Sequence, residues 1–139
     1  MSKMIFVNLP VRDLKASTAF YQALGGTLNP QFSGEQASCM MLSDMIFVML
    51  LTHEHYRQFT KRPIGDAKRE SQALIALSAE SRDAVNATLE KTAAAGGCAD
   101  PNPPQDHGFM FGRSVEDPDG NVWEIFWMDP AAVQKPEGA

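Results

Sequence analysis

Cysteine is scarce in this chain: 139 residues hold only Cys39 and Cys98, which are far apart and fit no CxxC pattern. With no secretory signal, both read as reduced thiols rather than a disulfide. A basic surplus is also missing. Twelve Lys and Arg stand against 17 Asp and Glu, a formal charge of -5, which argues against a nucleic-acid partner because phosphate binding needs a basic face. No apolar run approaches the roughly 20 residues that cross a bilayer. The opening "MSKMIFVNLPV" is too short in apolar residues for a secretory signal. What is present is ordinary: 44% apolar and 21% charged residues, at a length suited to one core. A cytoplasmic protein without membrane or nucleic-acid partners is the expectation.

The chain repeats itself. "VNLPVRDLKASTAFYQALGGTL" and "IALSAESRDAVNATLEKTAAAGGCA" each run from an apolar strand through Arg-Asp and a helical stretch to Gly-Gly. Asp13 suits the cap of the first helix, and Ser81 or Asp83 that of the second. Leu14, Phe20, Tyr21 and Leu24 gather on one side of the first, and Val85, Leu89 and Ala93 on one side of the second. Gly25-Gly26 and Gly96-Gly97 suit helix ends. Strand-like runs follow: "GTLNPQFS", "ASCMMLS" and "MIFVMLLT", then "FMFGRSVED" and "NVWEIFWM" after the proline-rich "CADPNPPQDHG". The pattern predicts an α+β fold of two βαβββ modules: residues 1–54, a linker 55–72, residues 73–130, and a tail 131–139 ending in a frayed "KPEGA". The linker carries Arg57, Lys61, Arg62, Lys68 and Arg69, as a solvated connector or a basic flap over an anionic ligand.

Strand parity sorts the side chains into two faces. Ile5, Val7, Leu9, Phe47, Met49, Leu51, Ala73, Ile75, Leu77, Trp123, Ile125 and Trp127 form an unbroken apolar set, as a sheet under helices requires. The opposite parity gives Phe6, Asn8, Val48, Leu50, Thr52, Leu74, Ala76, Ser78, Glu124, Phe126 and Met128. This face is apolar with a few polar interruptions, the mixture of a ligand cavity. Its other reading is a face buried at a domain or subunit contact.

Three features together, the duplication, the signature V-x-D-L-x-x-S-x-x-F-Y from Val11 to Tyr21, and the turn Glu116-Asp117-Pro118-Asp119-Gly120, resemble the vicinal oxygen chelate superfamily. That group includes glyoxalase I, fosfomycin- and bleomycin-resistance proteins and extradiol dioxygenases. The resemblance implies curled mixed sheets around a cavity, often in a homodimer, and in metal-using members four ligand positions on strands. Those positions correspond here to Phe6, Leu50, Leu74 and Glu124. Three are hydrocarbon and offer no lone pair, whereas a divalent ion needs several N, O or S donors. No cofactor is expected; a metal would need a non-standard site drawing on His53, His55 or His107.

Other candidates are few. His107, with Asp106 to orient it, is placed to swing beside Glu124 as an acid-base pair. Arg113 is the nearest partner in sequence for Glu124, which is otherwise a ligand-orienting group, a catalytic base, or a strand-edge acid. The Asp-Pro-Asp-Gly stretch reads as a turn, and the cysteines have no basic neighbour to activate them. The expected function is metal-free binding of a small hydrophobic or aromatic ligand. The alternative is a lyase, isomerase or dioxygenase using Glu124, either as general base or in an altered metal site; a structural or interaction module stands third.

Overall fold

The computed structural model describes residues 2–132; the closing "KPEGA" lies outside the described residues. The first module runs β1 (Ile5–Val11), α1 (Leu14–Ala23), β2 (Thr27–Leu28), β3 (Ala37–Met41) and β4 (Ile46–Thr52). A short helix α2 (His53–Tyr56) opens the linker. The second module runs β5 (Leu74–Ser78), α3 (Arg82–Ala94), β6 (Cys98–Ala99), β7 (Gln105–Asp106), β8 (Met110–Glu116) and β9 (Val122–Met128). The strand orders are β1-β4-β3-β2 and β5-β9-β8-β6, with β7 on β8. Each module closes its sheet the same way, first strand parallel to last and the rest antiparallel. The fold is therefore α+β, two βαβββ modules, the second with the two-residue strand β7 added on β8.

Local chemistry sets the helix limits. Asp13 accepts from the Ala16 N–H and Ser81 from the Ala84 N–H, each satisfying one orphan donor of a first turn. At the helix ends the two glycines of each pair divide the work. Gly25 and Gly96 take positive φ, 115° and 97°. Gly26 and Gly97 leave room for neighbours: a Cβ on Gly97 would lie 2.6 Å from the Phe20 ring and 2.8 Å from the Thr92 carbonyl. On α3 the buried residues are Val85, Leu89 and Thr92; Ala93 faces solvent. In the predicted strand "GTLNPQFS" only Thr27–Leu28 pairs, because Asn29 caps a 3₁₀ turn over Pro30–Phe32.

One apolar core joins the modules. Leu9, Val11, Phe20, Tyr21, Leu24, Met40, Val48 and Leu50 of the first pack with Val85, Leu89, Val115, Trp123 and Ile125 of the second. The register on β4 differs from the parity reading. Val7 pairs with Val48 and Leu9 with Leu50, so these side chains share the helix face. Phe6 instead pairs with Phe47 and stacks on it, ring centroids 4.4 Å apart. Every residue from Ile46 to Leu51 is apolar, so alternation could not say which parity meets the helices. In the second module the parity holds. Trp123 and Ile125 are buried in the core, and Glu124, Phe126 and Met128 leave on the other face.

Candidate functional site

A cleft of about 650 Å³ lies on the face of the second sheet that points away from the helices. Its floor is Ala76 of β5, Gly112 and Ser114 of β8, and Glu124, Phe126 and Met128 of β9, brought side by side by register: Ala76 opposite Glu124, Ser114 opposite Glu124, Gly112 opposite Phe126. Gly112 adds depth, having no side chain above Phe126. The wall is the loop Asn102, Pro103, Pro104 and Gln105.

That loop is held at three points. Arg113 leaves β8 on the helix side and grips Asp100 through two nitrogens, at 2.7 and 3.1 Å, while its third contact, 2.9 Å, goes to Asn86 of α3. Asp100 sits at φ 55°, a left-handed conformation that Asp tolerates better than most residues. The Ser114 hydroxyl receives the Asn102 N–H at 3.1 Å and donates to the Asn102 carbonyl at 3.2 Å. Beyond the prolines, Arg82 holds Asp106 with two bonds of 2.8 Å and the Gly108 carbonyl at 2.9 Å. The same guanidinium lies over the rings of Phe111 and Trp127, 5.2 and 5.4 Å from their centroids. The Arg82 bonds and the Gly108 N–H hold the Asp106 carboxyl well below its usual range.

Glu124 stands alone by comparison. It is half-buried and has no hydrogen bond or ion pair among the described residues. Arg113, its expected partner, is committed to Asp100, because Arg113 opposes Ile125 and so leaves β8 on the opposite face.

The predicted site residues scatter accordingly. Ala76, Glu124 and Phe126 line the cleft with their side chains, and Arg113 borders it as the strand residue between Gly112 and Ser114. Val48 and Leu50 are in the core. Thr52 caps α2 by accepting from the His55 N–H. Phe6 and Leu74 are exposed at the starts of their strands. Asn8 lines a second hollow of about 340 Å³ between the modules, together with His53, Tyr56 and the linker stretch Ile64 to Ala67. The basic linker residues line neither hollow.

The histidines do not assemble with Glu124. His107 lies outside the cleft lining, its Nε2 3.3 Å from Gln105 Oε1, and Asp106 is taken by Arg82. His53 and His55 are on a helix, where a spacing of two turns side chains roughly 200° apart.

The donor set at the four metal-ligand positions does not fit a divalent ion. Phe6 and Leu74 carry no donor, Leu50 faces the core, and its β4 neighbours on the Phe6 side, Met49 and Leu51, offer at most a thioether. Among the described residues no three His, Cys, Asp or Glu side chains come together as a metal-binding group.

The acids of the Asp-Pro-Asp-Gly turn do more than shape it. Asp117 accepts from the Tyr21 hydroxyl at 2.6 Å, from the Asp119 and Asn121 N–H groups at 2.9 and 2.8 Å, and from Asn121 Nδ2 at 3.0 Å. Asp119 accepts from the Arg12 N–H at 3.0 Å and the Ser17 hydroxyl at 3.2 Å. Trp123 Nε1 donates to the Tyr21 oxygen at 3.0 Å. The turn thus fastens the second module to α1 of the first. Burial, then the neighbouring Asp117, raises the Tyr21 pKa well above its usual value.

Comparison with known proteins gives a consistent picture. The family model of the glyoxalase/bleomycin resistance protein/dioxygenase superfamily matches residues 3–125. No curated protein matches the chain. Solved structures with the same fold include a hypothetical protein from S. aureus, 22% identical over 91% of this chain and 94% of that one, TM-score 0.75. A glyoxalase/bleomycin resistance protein/dioxygenase family enzyme from Burkholderia phytofirmans PsJN is 21% identical over 91% and 99%, TM-score 0.73. The genomically encoded fosfomycin resistance protein FosX from Listeria monocytogenes is 20% identical over 98% and 96%, TM-score 0.66.

Proposed function

The chain belongs to the glyoxalase/bleomycin resistance protein/dioxygenase superfamily, and from that premise we propose that it is a metal-independent member that binds a small apolar or aromatic molecule in the cleft around Glu124. One observation carries this reading: a cleft of about 650 Å³ with Met110, Phe126, Met128, Pro103 and Pro104 in its lining and a single carboxylate, unpaired among the described residues, among its side chains. Such a site offers apolar contact with one orienting group. The volume suits a drug-sized guest, and the clamped loop keeps the wall in place before the guest arrives, which lowers the ordering cost of binding. The donor-poor ligand positions favour binding without a divalent ion.

Gly112 supplies the test. A Cβ there would make only ordinary contacts, 3.6 Å to the Ile125 carbonyl and to Phe126 Cβ, so Gly112→Leu fills the cleft without forcing the backbone. With 2-naphthalenemethanol as probe, in the presence of EDTA, calorimetric titration is expected to show saturable binding to the wild type and at least tenfold weaker binding to Gly112→Leu. Equal affinity for both proteins would put the guest elsewhere.

The same unpaired Glu124 also favours a second reading, a general base acting on a bound carbon acid. Exchange of a guest's acidic C–H for deuterium, lost in Glu124→Gln, is its signature. As to assembly, we propose a homodimer: Met4, Ile5, Phe6 and Leu74, all about half exposed or more, are apolar residues that a second copy would cover. Sedimentation equilibrium of Phe6→Glu against the wild type tests it, the variant being expected as a monomer.

A further inference from the structure

The cleft has an electrostatic character that its apolar lining conceals. Every guanidinium near it is spent: Arg113 on Asp100 and Asn86, Arg82 on Asp106 and Gly108. The Ser114 hydroxyl is spent on Asn102 in both directions. Gln105 Oε1 is engaged by His107. Glu124 is the one acid in the cleft lining, and among the described residues it has neither cation nor donor. Glu116, opposite Val122, leaves β8 on the same face as Glu124. Among the described residues, the charge in the cleft lining that lacks an opposite partner is therefore the Glu124 carboxylate.

A guest that fills the cleft displaces the water now solvating Glu124. A carboxylate stripped of water and left without a partner is costly, and a purely hydrocarbon guest imposes that cost on itself. An anionic guest adds repulsion. A guest carrying an ammonium or amidinium beside its apolar body replaces the lost water with a charge-assisted hydrogen bond. We propose that the cleft selects cationic amphiphiles, molecules with an aromatic or aliphatic body and a protonated nitrogen set against the Glu124 carboxylate. This rests on the cleft being the binding site and adds the charge class of the guest.

The experiment uses three probes of one shape: 2-naphthylmethylamine, 2-naphthalenemethanol and 2-naphthoate, titrated calorimetrically into the full chain. The amine is expected to bind about tenfold or more tightly than the alcohol, and the carboxylate more weakly than either, the margin typical of a hydrogen bond to a charged group. In Glu124→Gln the amine should fall to within about twofold of the alcohol, because the amine loses its charged partner and the alcohol no longer desolvates a carboxylate. Glu35→Gln, which removes the same charge from an exposed loop residue outside the cleft lining, should keep the full gap. If the alcohol and amine bind the wild type equally, the charge selection is wrong while the cleft reading stands. If Glu35→Gln closes the gap as Glu124→Gln does, the preference belongs to the net charge of the protein, and the proposal fails. If no probe binds, the cleft reading fails and the charge class falls with it.

Discussion

Tyr21 illustrates how much one residue carries. Its hydroxyl donates to Asp117 and accepts from Trp123, and all three groups are buried. Removing that oxygen in Tyr21→Phe leaves Asp117 short of its strongest donor and Trp123 Nε1 with none, which should cost about 1.5–3 kcal/mol in chemical denaturation. The pH sign follows from the raised pKa. The folded state favours the neutral phenol, so its contribution is whole below the ordinary phenol value of 10.0 and is lost as pH rises toward the folded value. Tyr21→Phe should accordingly flatten the alkaline decline in stability. Thiol chemistry separates the cysteines in the same way: Cys39 is buried, and that burial raises its pKa, while Cys98 is exposed. Iodoacetamide should modify Cys98 in the folded protein and reach Cys39 only on unfolding, as mass spectrometry of digests would report. In the sequence the Asp117–Gly120 stretch was legible as a turn. Its tie to Tyr21 and Ser17 was not, because those partners lie 96 and 102 residues away and nothing local marks them.

At the scale of elements, the proline-rich loop and strand β4 teach different lessons. The loop looked irregular in sequence, yet Arg113, Ser114 and Arg82 tie it to the sheet and α3 at three points. The Arg82 pair with Asp106 is solvent-exposed, so Arg82→Ala should change global stability little. It should instead raise amide exchange across residues 105–109 and weaken guest binding by loosening the cleft wall. Because the Asp106 pKa is depressed, what the pair contributes is present above the usual carboxylate value of 3.8 and is lost as pH falls through the folded value. The protection of that loop's amides, measured against their intrinsic exchange rates, should therefore fall in strong acid in the wild type and change less in Arg82→Ala. On β4 the limit of parity is plain. Glu124 gave β9 a polar marker and its face was readable, whereas the all-apolar run Ile46 to Leu51 had none, and Leu50 was assigned to the wrong side. Gly97 marks a close approach of three elements. With the Phe20 ring, the Thr92 carbonyl and the Glu116 carbonyl within 3.0 Å of a Cβ, Gly97→Ala should destabilise by about 1–3 kcal/mol, as overpacking does.

For the whole molecule, the duplicated plan was visible from Arg12-Asp13 and Arg82-Asp83 onward, and it gave the fold. The duplication did not reveal that the halves specialise. Their helix faces merge into one core, while the larger cleft belongs to the second module alone. Glu124 owes its isolation to that arrangement: the strand positions that would complete a metal site hold hydrocarbon, and the nearby arginines serve the wall. The account turns on where a guest sits. Backbone chemical shifts recorded while 2-naphthylmethylamine is titrated into the protein, in EDTA, address this directly. The account predicts saturable shifts centred on Ala76, Gly112, Ser114, Glu124 and Phe126, absent in Gly112→Leu. Shifts centred instead on Asn8, His53 and Gly65, or binding that appears only when a divalent metal is added, would contradict it.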